Sequence, residues 1–161
     1  MALVCVLLIP STGAMAKKNP VYISMFGENY TVSSRDEIVL RSNYVACSRG
    51  LVNDFFDSVV NHVVINEEYV ETTDKKDQSY WSTPIVFGGY TEFCMWDVQN
   101  TWISIWEYNL GNLEPGEYNI RLTYDYHFPI IQGFDQYPPF GELEVIEGGG
   151  YWQEVTLFVT P

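Results

Sequence analysis

The longest regular pattern in the chain runs from Glu117 to Phe128, where apolar and polar residues alternate without a break. Tyr118, Ile120, Leu122, Tyr124, Tyr126 and Phe128 fall on one parity, and Glu117, Asn119, Arg121, Thr123, Asp125 and His127 on the other. A period of two over that length predicts a strand with one face on a core and one in water. Pro115 and Gly116, just before it, suit the central positions of a type II turn, in which glycine takes the positive φ.

The same rhythm predicts further strands. Val21, Ile23 and Met25 alternate with Tyr22, Ser24 and Phe26, after which Gly27-Glu28-Asn29 reads as a turn. Ile38, Leu40, Tyr44 and Ala46 share a parity opposite Arg41 and Asn43, a strand from Glu37 to Cys47. Val59 to Ile65 and Tyr69 to Glu71 read as strands joined at Asn66-Glu67-Glu68. Near the end, Leu143 and Val145 mark a short strand, Gly148-Gly149-Gly150 a turn, and Val155, Leu157 and Val159 a closing strand. The rhythm breaks between Ser48 and Ser58, where Leu51, Val52, Phe55, Phe56 and Val59 fall at helical spacing. The expectation is an all-β, two-sheet antiparallel sandwich with one short helical crossing near residues 49–58.

Two stretches resist a simple reading. Between Thr101 and Tyr108, Trp102, Trp106 and Tyr108 take one face while Ile103 and Ile105 take the other. Such a strand is either covered on both sides or offers aromatics to a ligand. The segment Pro84 to Asp97 is apolar and interrupted by Gly88-Gly89, the mark of a bulge or turn. Thr72 to Ser82 is the most hydrophilic run and is expected as an exposed loop, and Pro129 to Gly141 as a second loop rich in proline and aromatics.

Composition sharpens this picture. An aromatic share of 16% favours pleated surfaces. Ala2 to Pro10 form an apolar run too short to span a bilayer, and Ala14-Met15-Ala16 is a small-x-small pattern, so residues 1–16 read as a signal peptide and 17–161 as one domain. No Lys or Arg precedes that run, which is atypical of an export signal. Val4 is too large for the lipoprotein processing site that Cys5 would otherwise suggest. Cys47 and Cys94 remain as an even pair in an oxidising compartment; a bridge is the economical reading, two buried thiols the other. The formal net charge is −13, and no Lys or Arg follows Arg121. Such a surface repels phosphate backbones and anionic lipid, so neither nucleic acid nor a membrane is an expected partner.

The segment Leu113-Glu114-Pro115-Gly116-Glu117-Tyr118, followed by the long alternating strand and closed by Val155 to Val159, resembles the late strands of immunoglobulin-like and fibronectin type III-like sandwiches of exported bacterial proteins. The resemblance implies that Tyr118 packs at the corner between sheets. It also implies interaction or display as the role. Ile120 stands where an antibody-type domain has its second cysteine, so Cys47 and Cys94 need not be that family's pair.

Candidate chemistry is sparse. His127 shares a parity with Asp125, and Asp135 follows, a spacing that could orient an imidazole; a solvated polar face explains the same residues. His62 alternates with Val60 and Val64 and has no acidic neighbour in sequence. No nucleophile elbow, zinc-protease helix or phosphate-cradling loop is present, so no enzyme, no cofactor and no metal is expected. Asp125, Asp135 and Glu142 match no calcium-loop spacing. The expectation is a secreted, non-catalytic module that contacts an extracellular protein or surface glycan. The alternative is a carbohydrate-binding module drawing on Trp81, Trp102, Trp106, Trp152, Tyr137 and Phe140, with Trp81, Tyr137 and Phe140 as the expected exposed contacts; a small secreted hydrolase is the remaining reading.

Overall fold

The structure is a computed structural model that describes residues 19–73, 78–89, 91, 94, 99–131, 145–146 and 148–161. In chain order it runs β1 (Val21–Ser24), β2 (Asn29–Ser33), β3 (Ile38–Ala46), α1 (Arg49–Ser58), β4 (Val59–Ile65) and β5 (Glu68–Thr73). A 3-10 turn at Gln78–Tyr80 leads to β6 (Ile85–Phe87), β7 (Thr101–Gly111) and β8 (Gly116–Tyr126). The chain closes with β9 (Ile130–Ile131), β10 (Val145–Ile146) and β11 (Gly149–Thr160). One sheet has the order β1-β3-β7-β6, the other β2-β11-β8-β4-β5, and β9 pairs with β10 apart from both. The two larger sheets pack together, as the alternation predicts: Ile38 and Leu40 from one and Ile120, Leu122, Val155 and Leu157 from the other are fully buried in a shared core.

Pairing is antiparallel among the central strands, but each sheet has a parallel edge pair, β1 with β3 and β2 with β11. This corrects the expectation of wholly antiparallel sheets. Neither pair is joined by a hairpin, so no tight turn dictates its direction. The chain instead crosses from one sheet to the other between Ser24 and Asn29. Gly27 N–H donates to Ser24 O at 3.0 Å and Tyr30 Oη to the same carbonyl at 3.2 Å. A Cβ on Gly27 would lie 2.7 Å from ring atoms of Tyr30, so a larger residue here has to displace that ring.

Helix α1 covers the expected stretch and carries the chain from β3 to β4, that is from one sheet to the other. Ser48 caps it by accepting the Leu51 N–H at 3.2 Å, and Val52 and Phe55 are buried beneath it. The β4–β5 connection is a two-residue hairpin whose central residues Asn66 and Glu67 have φ of 50° and 70°, which matches the twist of the flanking strands. The bridge between Cys47 and Cys94 is formed, with Cα atoms 5.6 Å apart. It ties the segment after β6 to the end of β3.

Several expectations need correction. Gly116 does not take a positive φ; the left-handed glycine of the β7–β8 connection is Gly111, where β7 ends with Asn109 Oδ1 accepting the Gly111 N–H at 2.8 Å. β7 and β8 lie in different sheets, so residues 112–115 span between them instead of forming a tight hairpin. Phe128 leaves the buried face and is 46% exposed. Buried Ser58 stops the alternation: its carbonyl accepts His127 N–H at 2.8 Å and its hydroxyl accepts Phe128 N–H at 3.0 Å, turning the chain just before Pro129. Asn29, expected in a turn, instead begins edge strand β2 at residues 29–33, a stretch for which no strand is expected from the pattern. Thr72 and Thr73 belong to β5, so the expected exposed loop is shorter. In β7 the aromatic face turns inward and Trp106 is 0% exposed, which settles that strand as covered instead of ligand-facing.

Candidate functional site

Both sheets leave part of an edge without a strand partner on the same flank. β1 pairs with β3 only as far as Arg41, and β2 pairs with β11 only from Thr156 onward. Among the described residues, positions 42–46 of β3 and 149–155 of β11 therefore lack a strand on that side. Between these edges lies an open cleft of about 320 Å3, at the lower end of the roughly 300–1,000 Å3 typical of small-molecule sites.

Each wall follows from strand parity. Asn43 and Tyr44 of β3 form one wall, and Trp152 and Gln153 of β11 the other. Phe26 stands at the rim where the chain crosses between sheets. Phe55 of α1 and Tyr124 of β8 form the floor, with the rings of Tyr44 and Phe55 stacked 3.7 Å apart. Trp152 is 59% exposed, and the Arg121 guanidinium lies 5.4 Å over its ring. None of the described lining residues carries a formal charge.

The floor is held by a buried polar cluster. Tyr124 Oη donates to Gln153 Oε1 at 2.7 Å, Ser42 Oγ donates to the same oxygen at 2.9 Å, and the two hydroxyls lie 3.1 Å apart. Both bonds end on Oε1, which leaves Nε2 as the donor of this amide that the cluster does not use. Burial pushes the Tyr124 phenol well above its ordinary value, only partly opposed by the Ser42 hydrogen bond, so the floor stays neutral across the physiological range.

The histidines divide differently from the sequence reading. His62 Nε2 lies 3.0 Å from Asp125 Oδ2 and its Nδ1 2.9 Å from Thr72 Oγ1, so Asp125 belongs to His62 across the β4–β8 pair and not to His127. The order hydroxyl, imidazole, carboxylate resembles a relay. It lies on the outer sheet face, however, with Thr72 and Asp125 exposed, and none of the three is among the described lining of the cleft. The three side chains form a hydrogen-bond chain across strands β5, β4 and β8. Among the described residues no group of three His, Cys, Asp or Glu side chains gathers as metal ligands.

Trp81 is half-buried at the core rim, edge-on to Phe55 at 5.5 Å and 5.0 Å from Phe56, and it bridges to Trp106. It is held by its neighbours and does not stand out in solvent. Tyr137, Phe140, Asp135, Glu142 and the proposed signal segment lie outside the described residues. Extending the parity of Val155, Leu157 and Val159 backward places Gln153 inward and Trp152 outward, the signal that identifies the cleft's aromatic wall. No described helix is long and apolar enough to cross a membrane. No family model matches this chain, and comparison with curated proteins and with solved structures finds no match either.

Proposed function

We propose that this protein is a secreted, non-catalytic β-sandwich that works by contact, and that its contact site is the flank between β3 and β11. The observation that carries this reading is a cleft whose described lining is uncharged, set between two strand ends that no described strand covers, with Trp152 and Phe26 exposed. Exposed aromatics beside open edges are the kind of surface a partner covers. The disulfide supports an oxidising, extracellular location. The net charge of −13 disfavours nucleic acid. An immunoglobulin-like architecture belongs to the same proposal and is supported by Tyr118, half-buried against the core, whose Oη donates to Glu114 O at 2.9 Å, four residues upstream.

The test is binding to material from the producing cell's own surface by the chain and by two variants. Trp152→Ala is expected to lose binding, and Val86→Ala, on the opposite flank and similarly exposed, to keep it. Equal loss in both variants, or in neither, rejects the assignment of the flank.

A further inference from the structure

We propose that the cleft between β3 and β11 binds a neutral saccharide, stacked on Trp152 and oriented by the carboxamides of Gln153 and Asn43. This rests on the reading of that flank as the contact site and names the ligand class it takes. Three features of the lining select that class. The first is the aromatic wall: the electron-rich face of an indole attracts the weakly positive C–H face of a pyranose, and Trp152 is 59% exposed at the cleft, with Arg121 over its ring leaving the opposite face for a ligand. The second is the kind of polar group present. Sugar hydroxyls both donate and accept, and neutral amides match them without charge desolvation. Gln153 is preset for this, because the Ser42 and Tyr124 hydroxyls occupy its oxygen and leave Nε2 as a donor that the cluster does not use. Asn43 adds an exposed amide on the facing wall.

The third feature is charge. The chain carries −13 overall while the described cleft lining carries none. An anionic ligand would be repelled on approach, and a cationic one would meet no carboxylate in the lining. A neutral polyhydroxylated ligand meets neither obstacle. An extended peptide is the competing occupant. It would add to one open edge through main-chain hydrogen bonds and would not need the Gln153 donor.

The experiment screens the full chain against immobilised neutral oligosaccharides (gluco-, manno-, galacto- and xylo-series), anionic glycans (polygalacturonate, sialylated chains) and a random extended-peptide library. Trp152→Ala and Gln153→Glu are run beside it, with thermal denaturation of each. Gln153→Glu is the informative variant, because a carboxylate oxygen still accepts from Ser42 and Tyr124 while the Nε2 donor is lost. Retention of a neutral series, weakened at least about tenfold by each variant with both still folded, is the expected result, a tenfold loss being one good contact. Sugar binding indifferent to both variants overturns the cleft assignment. Preference for anionic glycans overturns the charge argument and with it the proposal. Peptide binding that is lost in Trp152→Ala but kept in Gln153→Glu, without sugar binding, overturns the saccharide while leaving the contact flank standing. Absence of any Trp152-dependent binding overturns both.

Discussion

The two flanks of the sandwich use the same residue types for opposite ends. On the β7 side, residues 81–87 run alongside the strand: Trp81 bridges to Trp106, Ser82 N–H donates to Ile105 O at 2.8 Å, and β6 pairs with Thr101 to Ile103. Tyr80 then leans on Tyr108 at 5.8 Å, and Trp106 stacks with Tyr108 at 6.0 Å. Tryptophan here plugs the gap between sheets. On the β3–β11 side the covering strands stop early, and Trp152 is left at the mouth of a cleft instead of inside a plug. An aromatic residue here is interred or left in solvent according to whether the neighbouring edge is covered, and residue type alone does not reveal which.

That contrast can be broken by mutation. Trp106→Ala is expected to destabilise by about 3–5 kcal/mol through lost burial and a residual cavity, read by chemical denaturation. Removing the bridge that ties the closed flank to β3, as Cys47→Ala with Cys94→Ala, opens a loop of 47 positions and is expected to cost at most about 4 kcal/mol, read as a lower melting temperature. On the open flank, Gly27→Ala forces a methyl against Tyr30 and is expected to cost about 1–3 kcal/mol. Its side effect is a shifted Phe26, visible as weaker ligand binding.

A pH series sharpens the comparison on the outer face beside Trp152. Glu154 accepts from Asn119 Nδ2, a bond that holds its carboxyl below the ordinary 4.5, and the Arg121 ion pair at 3.1 Å adds to it against partial burial. A carboxyl depressed by folding stabilises above its ordinary value and loses that contribution as pH falls through the lower folded one. Asn119→Ala is therefore expected to melt lower than the parent at pH 6, with the gap closing below pH 4.5. The smallest effect is expected from Trp152→Ala: within about 0.5 kcal/mol in stability, as for an exposed side chain. A loss comparable with that of Trp106→Ala would show that Trp152 is part of the core and would remove the cleft as a site.

Strands β3, β4, β8 and β11 were legible because a period of two is a local signal, and α1 because its apolar spacing changes at Ser48. β2 was not: Asn-Tyr-Thr-Val-Ser has one buried residue, Val32, and the strand exists through pairing with β11, at the other end of the chain. The His62–Asp125 contact was hidden for a similar reason, since it depends on the register of β4 against β8. The disulfide was the economical reading of the two cysteines outside residues 1–16, given an oxidising compartment, and the structure forms it. The cleft could not be read as a place, because it is made by where two edge strands end. Its best residue was nonetheless within reach, as parity already put Trp152 outside and Gln153 inside.

The position of β11 governs how the molecule can come into being. It is the last strand in sequence, yet it sits inside its sheet between β8 and the early strand β2, and its Gln153 completes the polar cluster under the cleft. During synthesis the five-stranded sheet therefore cannot close until residues 149–160 have emerged, and β2 must wait for β11 more than a hundred positions later. Such long-range closure is slow, so the sheet that carries the cleft's floor is among the last parts of the molecule to assemble.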